Sequence, residues 1–264
     1  MSSSHFPEFS ERIEIQQRDR NQRTRGEWAN YSHHRQKISD LLARFAPANR
    51  ILCLGAGNCN DLELKTLLSA FDELVLVDID RTALQEGVEA QAAAGDSRVL
   101  LLGGVNLLEP ADLPKSPLVV SLTCLSQLIE AVSQLATAKS LPWEEVASKC
   151  LDARTQHVGQ LIEWTTLGGN FVLISDFVSS DTLPELAAMS DDQIAGHASD
   201  WFRSGNFFTG LNPFAIKRML ETDEAFVNKV DSIRITKPWR WQVGQRAYAV
   251  AAIVGRRTDA IQNS

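Results

Sequence analysis

Two features of this chain are placed to do chemistry. The first is Leu54-Gly55-Ala56-Gly57, which closes a short apolar run over residues 50–54. Paired glycines there let a strand turn sharply and let the backbone come close to a ligand. A helix opening behind them would add free N–H groups for polar or anionic atoms. The second is Asp78, about 20 residues further on, at the end of another apolar run over 74–77. If the two strands are neighbours, their C-terminal ends converge. A carboxylate at that point accepts hydrogen bonds from both hydroxyls of a ribose. Asp80 stands directly before Arg81-Thr82-Ala83-Leu84 and is the better helix cap, which leaves Asp78 for a ligand.

Positioning these groups takes strands alternating with helices. Trp28, Tyr31, Ile38, Leu41, Leu42 and Phe45 have helical spacing over 25–45, and Pro47 follows. Residues 1–10 read as disordered. Behind the glycines, Leu62, Leu64, Leu67, Leu68 and Phe71 predict a second helix, and Leu84 with Val88 a third. Further strands are expected at 98–102, 118–122 and 171–175. Helices are expected over 125–135 and 143–166, the latter stopped by Gly168-Gly169. Continuous apolar strands alternating with helices argue for a parallel sheet covered on both faces. After Asp176 the pattern breaks. Residues 179–212 are polar and irregular, with helical pieces near 183–189 and 191–198. Asn212-Pro213 then caps a helix, and 230–236 and 247–254 read as two last strands joined by 237–246.

Composition narrows the classes. The chain has 264 residues, 44% of them apolar and 22% charged, which is the balance of a globular protein and excludes collagen or wholesale disorder. No apolar run reaches the roughly 18–20 residues of a membrane span. The N-terminus carries neither a secretory nor a transit pattern, so the cytoplasm is expected. The net charge is −7, and the only basic cluster is Arg18, Arg20, Arg23 and Arg25, read as a solvated helix face. Nucleic acid is therefore not an expected partner. Cys53, Cys59, Cys124 and Cys150 lie in or beside apolar segments without a Cys-x-x-Cys pair, and the histidines are not spaced to complete a metal site.

Two cofactor classes use a glycine turn with an acid after the second strand. Nicotinamide dinucleotides prefer Gly-x-Gly-x-x-Gly around a pyrophosphate. Here the third position is Asn60, followed by Asp61, an unfavourable charge beside a pyrophosphate. S-adenosylmethionine has no phosphate and a positive sulfonium, and it suits the loop better. At these residues the chain resembles the class I S-adenosylmethionine-dependent methyltransferases, well over 48–178 and more loosely over the last two strands. The matching segments are Leu54-Gly55-Ala56-Gly57-Asn58-Cys59-Asn60, the acid in Leu-Val-Leu-Val-Asp78-Ile-Asp, the fourth-strand stretch 118–128 and the glycines in 166–175.

The resemblance implies a Rossmann-like α/β fold: a seven-stranded, mostly parallel sheet with helices on both faces and the last strand antiparallel. It divides the chain into a helical cover over 1–47 and a methyltransferase domain over 48–258, with a lid insertion at 179–212. The cofactor's methionine part is expected over Gly55, Ala56 and Gly57, its ribose on Asp78, and its adenine between Ile79 and Val105-Asn106. The end of the fourth strand, Ser121, Leu122 and Thr123, is expected beside it. From the cover, Tyr31 and Arg35 are expected to hold the methionine carboxylate. The chain departs from the family pattern at Leu54, where an acid is common, at Cys59, where a third glycine is common, and at Val105-Asn106, where an aspartate is usual.

The acceptor is less legible. Methyl transfer needs alignment and exclusion of water more than a dedicated base. His157 is the histidine placed to act as one. Trp239-Arg240-Trp241 and the aromatics Trp201, Phe202, Phe207 and Phe208 are candidate walls. Ser121-Leu122-Thr123-Cys124 does not match the motif for base amino methylation, so the expected acceptor is a small molecule, giving S-adenosylhomocysteine. A protein or RNA methyltransferase, a non-catalytic S-adenosylmethionine-binding module and, more distantly, a nicotinamide oxidoreductase stay open.

Overall fold

The computed structural model describes residues 10–258. They form one mixed sheet with strand order β3-β2-β1-β4-β5-β8-β6, and β7 also pairs with β8. β1 (Ala48–Leu54), β2 (Phe71–Asp78), β3 (Val99–Gly103), β4 (Ser116–Leu122) and β5 (Thr165–Ser179) run parallel. β8 (Arg246–Arg257) lies antiparallel to β5. β6 (Val230–Ile235) pairs with the C-terminal half of β8, and β7 (Trp239–Val243) with its N-terminal half. The expected connection over 237–246 therefore contains a short strand of its own, because Trp239 and Trp241 have a buried face to fill.

Side-chain alternation sorts the core into two layers. Leu52, Leu54, Val75, Val77 and Val119 face α5 (Cys124–Ala138) and α6 (Trp143–Trp164). Ile51, Cys53, Leu74, Leu76 and Val120 face α2 (Ser32–Leu42), α3 (Leu64–Ala70) and α4 (Arg81–Ala90). The four cysteines are buried and free. No helix of the described residues is long and apolar enough to cross a membrane.

The N-terminal region differs from expectation. The segment over 25–45 is not one helix: residues 25–31 form turns, α2 spans Ser32–Leu42, and a 3-10 turn follows at Ala43–Phe45. Before it stands a helix that apolar periodicity does not predict, α1 (Ser10–Thr24). The expected disorder over 1–10 lies, apart from Ser10, outside the described residues. α1 has only Ile13 in the core. It is held by polar groups instead: Gln16 donates to Gln134 at 2.6 Å, Arg20 pairs with Glu130, and Asn21 donates to Asp80 at 3.2 Å.

The glycine turn also differs. No helix opens directly behind it; α3 begins only at Leu64, and residues 55–63 are loop. Further along, Asp80 caps α4, accepting from Thr82 N and Ala83 N. Asn212 caps α8 (Pro213–Thr222) with Pro213 in its first turn. α7 (Asp191–Ser204) and a 3-10 turn at Pro184–Ala188 occupy much of the irregular stretch.

Candidate functional site

The strand order reverses between β1 and β4, and open α/β sheets bind ligands in the crevice at such a point. A cleft of about 440 Å³, its solvent-facing side included, lies there. Its floor is Gly55 after β1, Asp78 and Ile79 after β2, and Val105, Asn106 and Leu107 after β3. One wall is the first two turns of α5, with Cys124, Gln127 and Leu128. The other is α1, with Ile13, Gln16, Gln17 and Arg20.

Gly55 and Gly57 both have positive φ, +74° and +44°. A Cβ on Gly55 would stand 2.6 Å from Cys124 Cβ, so glycine is the residue that fits between the turn and α5. Asp78 is 2% exposed. Its Oδ2 accepts from Gly57 N at 2.9 Å and its Oδ1 from Asp80 N at 2.8 Å. The carboxylate thus sets the turn's shape, and each oxygen keeps acceptor capacity. Burial pushes its carboxyl up to about 6, against the backbone hydrogen bonds from Asp80 and Gly57. Asn106 Oδ1 accepts from Leu108 N at 3.0 Å, forming the turn that carries Val105 and Asn106 into the cleft.

Of the expected site residues, Gly55, Asp78, Ile79, Val105 and Asn106 line this cleft together. Ala56 and Gly57 belong to the same turn. Ser121, Leu122 and Thr123 lie behind it at the end of β4. Thr123 has a left-handed conformation at the start of α5, a strained geometry for a residue other than glycine. Ser121 Oγ is 2.9 Å from His157 Nε2 and 3.2 Å from Cys124 Sγ. His157 is fully buried and does not line the cleft. Burial lowers its imidazole to about 4, and it raises the Cys124 thiol to about 12. This cluster is uncharged at neutral pH and braces the β4–α5 corner.

Tyr31 and Arg35 do not line the cleft; they sit on the outer side of the loop over 58–62. Arg35 Nη1 donates to Trp28 O at 3.0 Å and Asn60 O at 2.9 Å, and its guanidinium lies 3.5 Å from the centre of the Trp28 ring. Asn60 and Asn58 reach back to Thr24 O and Asn21 O, and Gln91 holds Cys59 O and Leu62 O. This lattice replaces the helix absent behind the glycines. Arg35→Ala is expected to cost about 2–3 kcal/mol in denaturant unfolding, from lost charged hydrogen bonds and ring stacking. Arg35→Lys should recover little, since one ammonium cannot reproduce the planar fork. A loss below about 0.5 kcal/mol would remove Arg35 from this role.

Residues that sequence reasoning missed are on α1. Gln16, Gln17, Arg20 and Asn21 belong to a stretch with no apolar stripe. The available signal was its wealth of strong helix formers and the Glu14–Arg18 pair one turn apart. No residue of 179–212 lines the cleft. Phe202 packs instead against Phe177, Phe207 and Phe214. Among the described residues, no group of three or more His, Cys, Asp or Glu is arranged to hold a metal ion.

A seven-position sheet with one antiparallel strand, and a cleft at its switch point, define a known architecture. Neither a protein-family model nor a curated protein matches the chain. Among solved structures it is similar to magnesium protoporphyrin IX methyltransferase (ChlM) from Synechocystis PCC 6803 with bound SAH. Identity is 12% and the TM-score 0.50, over 87% of this chain and 84% of that one. It is also similar to the N-methyltransferase NodS from Bradyrhizobium japonicum WM9, at 11% identity and TM-score 0.48, over 86% and 98%. An O-methyltransferase family protein from Burkholderia thailandensis matches at 16% identity and TM-score 0.47, over 85% and 56%. At these identities the likeness is one of fold: the chain has the class I methyltransferase fold.

Proposed function

We propose that this protein is an S-adenosylmethionine-dependent methyltransferase acting on a small molecule. The observation that carries the reading is the convergence of the glycine turn, Asp78-Ile79 and Val105-Asn106 on one cleft at the switch point. The cleft is rich in acceptors. Besides the Asp78 carboxylate, Gln16 Oε1 and Gln127 Oε1 are buried without a hydrogen-bond partner among the described residues. A ligand with amino groups, ribose hydroxyls and a positive sulfonium supplies what these atoms lack, whereas a pyrophosphate does not. Asp78 would take the ribose, Ile79 and Val105 the faces of the adenine, and the 55–57 turn the methionine part. The cofactor, when bound, supplies an activated methyl group. The chain's own contribution is orientation and exclusion of water, with α1 as the outer wall.

A small acceptor is supported by α1. The four arginines of the basic cluster are each engaged locally: Arg18 with Glu14, Arg20 with Glu130, Arg25 with Glu86, and Arg23 with the Asp19 carbonyl. Three of the four therefore carry a carboxylate partner, which lowers the net positive charge that a nucleic acid would meet. Calorimetric titration with S-adenosylhomocysteine, followed by turnover of the methyl donor with a metabolite extract, tests the reading. Binding without turnover would favour a non-catalytic module.

The Asp78 carboxyl gives the binding a pH signature. Ribose hydroxyls donate to the ionised form, so ligand binding must expel the proton held below about pH 6. Affinity is expected to be flat above about pH 7 and to fall by up to tenfold per unit below about 6. The stability of the ligand-free protein runs the other way. A folded value raised above the ordinary 3.8 stabilises the fold most below 3.8, and that contribution is lost as pH rises through about 6. Titrations between about pH 5 and 8 check both signs; an affinity unchanged across that range would remove Asp78 from the ligand.

A further inference from the structure

At the C-terminal end of β5 stands a carboxylate that cofactor binding leaves unused. Asp176 is 5% exposed. Its Oδ1 accepts from Ser126 Oγ at 2.5 Å and its own backbone N–H also favours the ionised form, while no other described residue donates to Oδ2. Burial holds the carboxyl above its ordinary range, against Ser126, Arg20 and His34. The groups that favour its charge already have other partners: His34 Nε2 lies 3.1 Å from Asp61 Oδ1. Arg20 is paired with Glu130, and Arg246 with Asp181 and the Tyr248 hydroxyl. A buried carboxylate without a cation of its own is costly unless something else supplies one.

The sheet register fixes what surrounds it. Asp176 lies opposite Val250, and Val250 opposite Trp239. Two residues away along the same strands, Tyr248 lies opposite Trp241. Residues two apart share a face, so Asp176, Tyr248, Trp239 and Trp241 project to the side covered by α2. There the Tyr31 ring meets Trp241 edge-on at 5.4 Å, and Trp241 lies 5.4 Å from Tyr248. Trp241 Nε1 is itself buried without a partner among the described residues. On its other flank Asp176 is tied through Ser126 to the first turn of α5, the turn whose Cys124 and Gln127 line the cofactor cleft. The carboxylate therefore stands beside the cleft and against an aromatic wall.

We propose that Asp176, with the rings of Tyr31, Trp241 and Tyr248, forms the methyl-acceptor site and selects a small amine: it docks as its ammonium at Asp176 Oδ2 and passes one proton to that oxygen, and the lone pair so freed would take the methyl group while the sulfonium sulfur keeps the S–C bonding pair, giving S-adenosylhomocysteine and an N-methylammonium. The proposal rests on the methyltransferase reading for the meaning of "acceptor". An ammonium answers the uncompensated carboxylate, and electron-rich ring faces favour a cation beside them. An anionic acceptor would be repelled by Asp176, since Arg20 and Arg246 are already paired with Glu130 and Asp181. A neutral alcohol would leave the charge of Asp176 uncompensated.

The test uses the full chain saturated with S-adenosylhomocysteine and, in a parallel arm, without it. Propylamine and phenethylamine are titrated against 1-propanol and 2-phenylethanol. Each amine is expected to bind at least about tenfold more tightly than its alcohol. Asp176→Asn should erase that preference while S-adenosylhomocysteine affinity stays unchanged. Asp176→Glu, which keeps the charge, should retain it. Alcohols binding as well as amines, no amine binding at all, or a preference surviving in Asp176→Asn would each overturn the assignment. Should Asp176→Asn fail to fold, the amine-to-alcohol ratio of the wild type decides alone. A wild type that binds the amines but not S-adenosylhomocysteine would sink the methyltransferase reading and leave the amine site standing.

Discussion

Gly57→Val is expected to lower S-adenosylhomocysteine affinity by at least about a hundredfold, on the order of 3 kcal/mol, with little change in helical circular dichroism. Three local causes act together. The φ of +44° at this position is one that a β-branched residue avoids, at a cost of about 1–2 kcal/mol. A Cβ would stand 2.8 Å from Asn21 Oδ1, and valine would add two methyl groups in the same space. Asn21 cannot yield freely, because its side-chain amide donates to Asp80 and its backbone carbonyl accepts from Asn58 at 2.6 Å. The variant therefore pushes α1 away from the turn while distorting the N–H that binds Asp78. The sheet core at Leu52 and Leu54 is untouched, so the domain should stay folded. Wild-type affinity in a folded valine variant would place the ligand elsewhere.

The second large effect is at Asp78. Asp78→Ala is expected to weaken binding by about 1.5–3 kcal/mol, the scale of lost hydrogen bonds to a charged group. The sequence alone leads one to expect an otherwise undisturbed fold. The structure adds a penalty, since alanine leaves Gly57 N–H and Asp80 N–H without their acceptor, at about 1–3 kcal/mol for each buried group left unpaired. Asp78→Asn separates the two effects, because the amide oxygen still accepts one of these bonds. It should recover part of the stability in denaturant melts, yet bind S-adenosylhomocysteine at least about tenfold more weakly than wild type. Binding equal to wild type in the asparagine variant would assign Asp78 to the turn alone.

Much of this architecture is legible because it rests on apolar runs. Residues 51–54 of β1, 74–77 of β2 and 118–120 of β4 are buried on both faces and apolar throughout, and the alternation of such runs with helices announces a parallel sheet. Asp80 and Asn212 are legible as caps for an equally local reason. α1 is not legible, because its partners, Glu130, Gln134 and Asp80, are distant in sequence and polar. No periodicity encodes such contacts. Tyr31 and Arg35 were misplaced by the same gap. With α1 unseen, the aromatic and cationic residues of the next segment are the natural cover, yet α1 forms the wall of the cleft and Arg35 braces the loop behind the glycines. β7 was hidden because Trp239-Arg240-Trp241 is too short to show a period. Asp176 closes an apolar run in the sequence, but what surrounds its carboxylate only emerges once β8 and α5 are folded against it.

The proposed function stands or falls on S-adenosylmethionine and its product binding in the cleft between the glycine turn, Asp78 and α1. Isothermal titration of the full chain with S-adenosylhomocysteine, and separately with NAD, tests it most directly. One site per chain is expected, with micromolar or tighter affinity for S-adenosylhomocysteine, lost in Gly57→Val, and no measurable heat with NAD. Binding of NAD in preference to S-adenosylhomocysteine, or S-adenosylhomocysteine binding that Gly57→Val and Asp78→Asn both leave intact, would contradict it.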